Sequence, residues 1–408
     1  MTGVSLYSQQ NDPTLISTGE THIMQLAERM RTVEPYFFAK LGLHIAELKA
    51  KGKDVIRLDV GSPDLPPAPF IVDTLQKASS EENLHGYSPL GGTLDFREAV
   101  STYYSERFDV NLDPKSEVVG LIGSKEGLFH LSMAYLNPND VALVPDPGYA
   151  VYASAAKFAG AEVVTMPILE SNNFLPDLDA IPEDAKRRAK LLWLNYPNNP
   201  TGAIVNDTFF AELVEFAHTH QIMICHDAPY MDITFDGYKA PSLLQIPGAQ
   251  EISVEFNSLS KTYNMAGWRL GMACGFESAI TALHTLKTNV DSSQFQAIQA
   301  AGVAALTGDQ SWFSERNTIY QERRDIVLAG LAKTGLVAHK PQAAMYVWVR
   351  IHTEVPSSKF TQAILEEIGV SVTPGSFFGE CGEGYFRISL GTPAPRIQEA
   401  MERIAAWV

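Results

Sequence analysis

The run Ser253-Val254-Glu255-Phe256-Asn257-Ser258-Leu259-Ser260-Lys261 passes from a short apolar stretch into a polar tail that ends on a lysine. A buried strand has no use for such a tail, because isolated charged residues are normally solvated. Two other stretches share the pattern: Leu191-Leu192-Trp193-Leu194 runs into Asn195-Tyr196-Pro197, and Met223-Ile224-Cys225 runs into His226-Asp227. Further apolar runs at 118–122, 142–144 and 162–166 alternate with longer amphipathic stretches. Strands alternating with helices predict an α/β fold, with a mainly parallel sheet covered by helices on both faces. Ligands bind off the carboxyl ends of such strands, so Asn195, Asp227 and Lys261 are expected to converge on one pocket.

Working outward, the pattern changes after Asp309. A long charged helix is predicted over 310–333, then a strand at 345–350, a helix at 357–368, a strand at 384–389 and a last helix at 396–407. These make a smaller α+β unit. Residues 1–20 are polar and read as a loosely held arm. From Thr21 to Ala50 the apolar positions recur at helical spacing, broken at Glu34-Pro35. The expected division is therefore an arm at 1–20, a helical segment at 21–56 packing with the small domain, a large domain at 57–308 and a small one at 309–408. A chain of 408 residues is long enough for two such cores.

Composition excludes several classes. Lys and Arg total 31 against 47 for Asp and Glu, a net charge of -16 that repels phosphate backbones and anionic membranes. No nucleic-acid or membrane partner is expected. The first basic side chain is Arg29 and no apolar run approaches the length of a membrane span, so the protein reads as cytoplasmic. Cys225, Cys274 and Cys381 form no C-x-x-C pair and are expected to be buried free thiols. His218, His220 and His226 fit no metal-ligand spacing, so no metal is expected.

A lysine amine in a desolvated site can condense with an aldehyde. A carboxylate opposite can keep a pyridine nitrogen protonated, so that the ring acts as an electron sink. Lys261 and Asp227 thus supply what pyridoxal 5'-phosphate needs. Taken singly, Lys261 is an ordinary solvated lysine and Asp227 a turn or cap residue. Gly123-Ser124-Lys125-Glu126-Gly127 adds a tight turn before a helix expected at 127–136, whose amide dipoles favour an anion. Seen alone, that segment reads as a serine cap.

The segment Ser258-Leu259-Ser260-Lys261-Thr262-Tyr263-Asn264-Met265-Ala266-Gly267-Trp268-Arg269-Leu270-Gly271 resembles the Schiff-base signature of fold type I, class I/II aminotransferases. Asn195-Tyr196-Pro197-Asn198-Asn199-Pro200-Thr201-Gly202 strengthens the resemblance, which extends over about 57–391. It implies that Lys261 holds the cofactor as a Schiff base and moves the substrate α-proton. Asp227 would pair with the pyridinium nitrogen, while Tyr230 and Asn195 would bond the ring's phenolic oxygen. Ser124, Lys125, Ser258, Ser260 and Arg269 would hold the phosphate, with Arg269 as a fork. Tyr149 matches the ring that stacks on the cofactor. Arg387 would clamp the substrate α-carboxylate beside the backbone of Gly61, where a side chain would obstruct the approach. Tyr87 resembles a tyrosine donated across a homodimer interface to the other subunit's phosphate.

The implied reaction moves an amino group between an L-amino acid and a 2-oxo acid, 2-oxoglutarate with glutamate being the expected pair. Gly123 to Gly127, Pro145-Asp146-Pro147-Gly148-Tyr149 and Asn289-Val290-Asp291-Ser292 look most like the LL-diaminopimelate aminotransferase group. That group is expected to carry an acid after the donated tyrosine, to meet the substrate's distal ammonium. Here the loop reads Ser88-Pro89-Leu90-Gly91-Gly92, without an acid. Losing such a contact costs about 1.5–3 kcal/mol, enough to change donor preference. Alanine, aspartate or an aromatic amino acid are therefore alternative donors. A carbon-sulfur β-lyase of the same fold remains a rival reaction, because the same stabilised carbanion serves both. A non-catalytic module of a transcription regulator is the rival of another class, but the acidic chain offers no basic DNA-binding domain. Tyr36 and Tyr346 could line the distal pocket, although core packing explains each.

Overall fold

The computed structural model describes residues 15–17, 23–32 and 37–408. Seven strands form the central sheet: β1 (Val118–Leu121), β2 (Val141–Asp146), β3 (Glu162–Pro167), β4 (Ala189–Leu194), β5 (Met223–Asp227), β6 (Ser253–Ser258) and β7 (Gly271–Gly275). Their spatial order is β1-β7-β6-β5-β4-β2-β3. The strands from β2 to β6 are parallel to one another, whereas β7 is antiparallel to both β1 and β6. The sheet is therefore mainly parallel, as the sequence predicts. The apolar pattern does not announce β7. Gly271-Met272-Ala273-Cys274-Gly275 has no β-branched residue, yet all of it is buried, so packing overrides propensity there.

The side-chain period of two splits the parallel strands β2, β4 and β5 between two cores. From β4, Leu191 and Trp193 join Leu121, Val144, Cys225 and Phe256 on one face. Leu192 and Leu194 join Leu143, Ile224, Phe210 and Leu213 on the other. Each fully buried side chain of this size contributes about 1.5–3 kcal/mol. The helix Asp207–His220 starts where the Asn206 side chain accepts a bond from Phe209 N at 3.0 Å. It ends at Gln221, whose left-handed φ of 55° turns the chain back into β5.

The second sheet joins β8 (Val337–Ala338), β9 (Tyr346–Arg350), β10 (Thr373–Pro374) and β11 (Tyr385–Ser389) in the order β8-β9-β11-β10, all antiparallel. Its core includes Val347, Val349, Phe386 and Ile388, packed with Val327 and Leu331 of the helix Trp312–Leu331 and Ile397 and Ile404 of the helix Ala394–Trp407. Ile56 and Leu58 enter the same core, and Ile56–Arg57 pairs in parallel with Val370–Ser371.

Towards the amino terminus, the structure departs from the helical spacing. Ile23–Gln25 is a strand paired antiparallel with Leu15–Ser17, Glu28–Thr32 is a 3-10 turn, and the α-helix spans Phe37–Ala50. Pairing with a distant segment is invisible to a local periodicity, and here it decides. Ile45 of that helix packs on Val55 and Leu365. Tyr36, and the arm apart from residues 15–17, lie outside the described residues. Among the described residues, no helix is long and apolar enough to cross a membrane.

At the end of β7, Gly275 has φ 121°, and a Cβ there would lie 2.4 Å from the carbonyl oxygen of Ser253. Gly275→Ala is expected to cost about 1–3 kcal/mol and lower the thermal unfolding midpoint. A midpoint equal to that of the parent would contradict this close approach of β7 to β6.

Candidate active site

Because β4, β5 and β6 lie side by side, their carboxyl ends open on one cavity of about 420 Å³. Asn195 follows β4, Asp227 ends β5, and Lys261 sits in the short helix Leu259–Thr262 directly after β6. All three line the cavity, with Tyr230, Arg269 and Arg387. Gly61, Ser124, Lys125, Tyr149, Ser258 and Ser260 line it too. Of the residues expected at the site, Tyr87 alone is absent from its lining; it stands 91% exposed.

Asp227 is buried, which raises its pKa to about 6. The bond from Tyr152 and the charges of His226 and Lys261 oppose that rise. Its Oδ2 accepts from the Tyr152 hydroxyl at 2.8 Å, whereas Oδ1 is buried without a partner. An orphaned carboxylate oxygen at the cavity is a vacancy for one N–H donor. Tyr152 is held by stacking on Trp193, ring centres 5.2 Å apart and 6° from parallel. Sequence reasoning missed Tyr152. Its place in the chain, three residues after Tyr149 in the first turn of the helix Val151–Phe158, brings the two rings edge to face with centres 5.8 Å apart.

Lys261 shifts the other way. Burial, then the positive charges of Arg387 and Arg269, lower its pKa to about 8, against the pull of Asp227. Its Nζ donates to the carbonyl of Gly61. A lysine with that pKa keeps a useful neutral fraction near neutral pH and can act as a nucleophile or base.

The anion end of the cavity lies at the first turn of the helix Ser124–Tyr135, which starts earlier than the glycine expected to open it. Gly123 has φ 73°, and a Cβ there would lie 2.1 Å from Arg269 Nη2. Ser124 and Lys125 therefore belong to the helix N-terminus itself. Lys125 has its pKa lowered by burial and by the charge of Arg269. Arg269 is held in the left-handed region at φ 58°, with Nη1 donating to Ala266 O at 2.8 Å and reaching Ser260 Oγ at 3.4 Å. Two cations beside a helix N-terminus form an anion cup.

At the opposite end, Arg387 is 3% exposed and donates to Asn199 Oδ1 at 2.7 Å and Asp59 O at 2.8 Å. Its guanidinium lies 4.3 Å from the centre of the Tyr346 ring, and its Nε is buried without a partner. Those partners are neutral, so its charge is available to a carboxylate. Tyr230 and Tyr346 share a hydroxyl bond of 2.8 Å, and Asn195 spans Asp227 O at 2.6 Å and Asn199 N at 2.7 Å. Tyr346 thus lines the cavity as well as packing in the core. Asn199, Phe38, Phe377 and Phe378 also line it, and sequence reasoning assigned none of them there.

The other titratable clusters lie apart. His218 bonds Gly248 O and His226 bonds Glu255. Glu126, His130 and Asp291 approach one another within 4.8 Å, but the Lys287 ammonium already bonds both carboxylates. Cys225 and Cys274 are buried free thiols, while Cys381 is partly exposed, contrary to expectation.

A carbonyl-reactive amine, an unpartnered carboxylate oxygen and an anion cup together fit a pyridine aldehyde phosphate. Residues 53–404 match the family Aminotransferase class I and II. The chain belongs to this family. It is a pyridoxal-phosphate-dependent aminotransferase acting on amino acids and 2-oxo acids. The chain is 50% identical to an LL-diaminopimelate aminotransferase of Moorella thermoacetica, over 93% of its length and 98% of the relative's. A substrate-bound BacF structure from Bacillus subtilis superposes with TM-score 0.91 at 36% identity, covering 94% and 98% of the two chains. A "probable N-succinyldiaminopimelate aminotransferase" from Thermus thermophilus gives TM-score 0.86 at 37% identity, covering 91% and 100%. These relatives favour amino transfer over the β-lyase reaction.

In this aminotransferase, Tyr152→Phe removes the one side-chain donor on Asp227 among the described residues. The lost bond corresponds to about 1–2 kcal/mol, or roughly tenfold in kcat/KM. That bond lowers the Asp227 pKa, so its loss raises the pKa above about 6 and moves the acid limb of the rate profile to higher pH. An unmoved limb would remove Tyr152 from this role.

Proposed function

We propose that the enzyme transfers the α-amino group of LL-diaminopimelate to 2-oxoglutarate. The observation that carries this reading is the 50% identity to an LL-diaminopimelate aminotransferase over nearly the whole of both chains. Lys261 would anchor the cofactor through its Nζ, and that amine would take the proton from the substrate α-carbon and return it. Bound pyridoxal phosphate supplies a ring that accepts the electron pair released at that carbon. Asp227 would offer its free Oδ1 to the ring nitrogen, a role supported by that atom's burial without a partner. Tyr230 and Asn195, which line the cavity, would bond the ring's oxygen, and Tyr149 would stack on its face. Ser124, Lys125, Ser258, Ser260 and Arg269 hold the phosphate. Arg387 and the backbone of Gly61 receive the α-carboxylate.

The same reading treats 57–308 as the cofactor-binding unit and 309–408, with 21–56, as the smaller one. The working form is a homodimer in the cytoplasm. Tyr87 is 91% exposed, and Leu90 and Leu94, close to it in the chain, are exposed too. Such a patch suits a second copy of the chain, whose phosphate cup would receive Tyr87.

One observation favours a second donor. The loop at 88–92 has no acid for a distal ammonium, and Gly91 has φ 77° with a Cβ position 2.4 Å from the His284 ring. An N-succinylated diaminopimelate has an acylated, uncharged distal nitrogen and needs no such acid. Both donors can be compared with alanine, aspartate, glutamate and phenylalanine by following the half-reaction spectrally at low donor concentration. LL-diaminopimelate is expected to react fastest; a clear win for the N-succinyl compound establishes the second reading, and a win for any other donor removes both. Arg387→Ala is expected to lower kcat/KM by at least about 100-fold for every donor, chiefly through KM. Unchanged kinetics would refute the carboxylate clamp.

A further inference from the structure

The helix Ser124–Tyr135 begins after Gly123, which has no side chain to cap its first amides. Those N–H groups are left to a ligand or to water. The third residue of the helix is Glu126, an acid in the first turn, where a carboxylate favours the helix N-terminus and competes with any bound anion. Here it is held elsewhere. Ser124 and Lys125 line the cavity, and Glu126 does not. Its Oε2 accepts from Ile122 N at 3.0 Å, and its Oε1 accepts from the Lys287 ammonium. Lys287 is 1% exposed and comes from the helix Glu277–Thr288, which packs against the helix Ser124–Tyr135. Asp291 accepts from the same ammonium, with Oδ1 at 2.9 Å and Oδ2 at 3.0 Å, and is itself fixed by Ser293 N at 2.8 Å. His130, one turn on from Glu126, completes the cluster. Asp291 belongs to the stretch Asn289-Val290-Asp291-Ser292, which no step of the proposed reaction uses.

We propose that Lys287 is a positioning residue for the anion cup: by holding the Glu126 carboxylate in an ion pair, it leaves the first amides of the helix and the charge of Arg269 to an incoming phosphate. The inference rests on the cup being the cofactor's phosphate site. Without Lys287, an unpaired acid stands next to Lys125 in the first turn, where it competes for the helix amides and repels a second anion. Asp291 keeps the Lys287 ammonium in place through its two bonds. The bond from Ile122 N ties the same carboxylate to the residue before Gly123, so the ion pair also fixes the turn from which the cup is built.

The test titrates the full chain, freed of cofactor, with pyridoxamine 5'-phosphate and with pyridoxamine by calorimetry. It is run at about pH 8, where Glu126 stays ionised although burial raises its pKa. Neither ligand condenses with Lys261, so the ratio of the two dissociation constants reads the contribution of the phosphate. Lys287→Met is expected to weaken the phosphorylated ligand about tenfold and leave pyridoxamine unchanged. Adding Glu126→Gln, which keeps an oxygen for Ile122 N–H but removes the charge, is expected to restore most of that loss. A ratio in Lys287→Met within about twofold of the parent's overturns the proposal. An equal loss for both ligands, or a loss that Glu126→Gln does not restore, is what a packing role predicts and overturns it too. If Lys287→Met does not fold, Glu126→Gln alone decides. Its charge is already matched, so the ratio is expected to hold, and a fall of about tenfold there overturns the proposal. Failure of the phosphate reading is separable. Arg269→Ala would then leave the ratio unchanged, whereas a ratio that falls in Arg269→Ala and not in Lys287→Met overturns this inference alone.

Discussion

The register of three parallel strands carries the site. Leu194 of β4, His226 of β5 and Glu255 of β6 lie side by side, so the residues that follow them emerge at one level. A slip of one residue would turn every side chain of a strand to the opposite face. It would carry Asp227 out of the cavity and break the fit of Trp193 and Leu194 into their separate cores. The apolar alternation that builds the sheet therefore also places the chemistry. Binding needs no further scaffold than the ends of strands that the cores already fix.

Burial then acts on the charged groups in opposite directions. It raises Asp227 to about 6 and lowers Lys261 to about 8, which brings an acid and a base of very different ordinary strength close together. Two neighbouring arginines push Lys261 further down, while Tyr152, His226 and Lys261 restrain Asp227. The pair can thus sit as carboxylate and partly neutral amine near neutral pH, the combination that a carbonyl cofactor with a protonated ring requires. Anion-binding charge is separated to the two ends of the same cavity, at Arg269 with Lys125 and at Arg387.

Much of this was legible in the chain because it is local. Polar tails on apolar strands disclosed Asn195, Asp227 and Lys261, and the stretches around Gly123 and Arg387 kept recognisable order along the sequence. What escaped comes from contacts between distant segments. Tyr152 reaches Asp227 across 75 residues, and Arg387 reaches the Asp59 carbonyl across 328. β7 is a strand because β1 and β6 flank it, against its own weak propensity. The strand at Ile23–Gln25 exists through its pairing with Leu15–Ser17, although its spacing reads as helical.

The α/β class and the family are written in short runs of residues, and the same runs name Asn195, Asp227 and Lys261 as candidates for one cavity. Tertiary structure alone decided which oxygen of Asp227 is free, that Tyr346 faces the cavity as well as the core, and that His226 is paired with Glu255. The reason is physical: residue type fixes what a group can do, but its bonds and protonation depend on neighbours that only folding supplies.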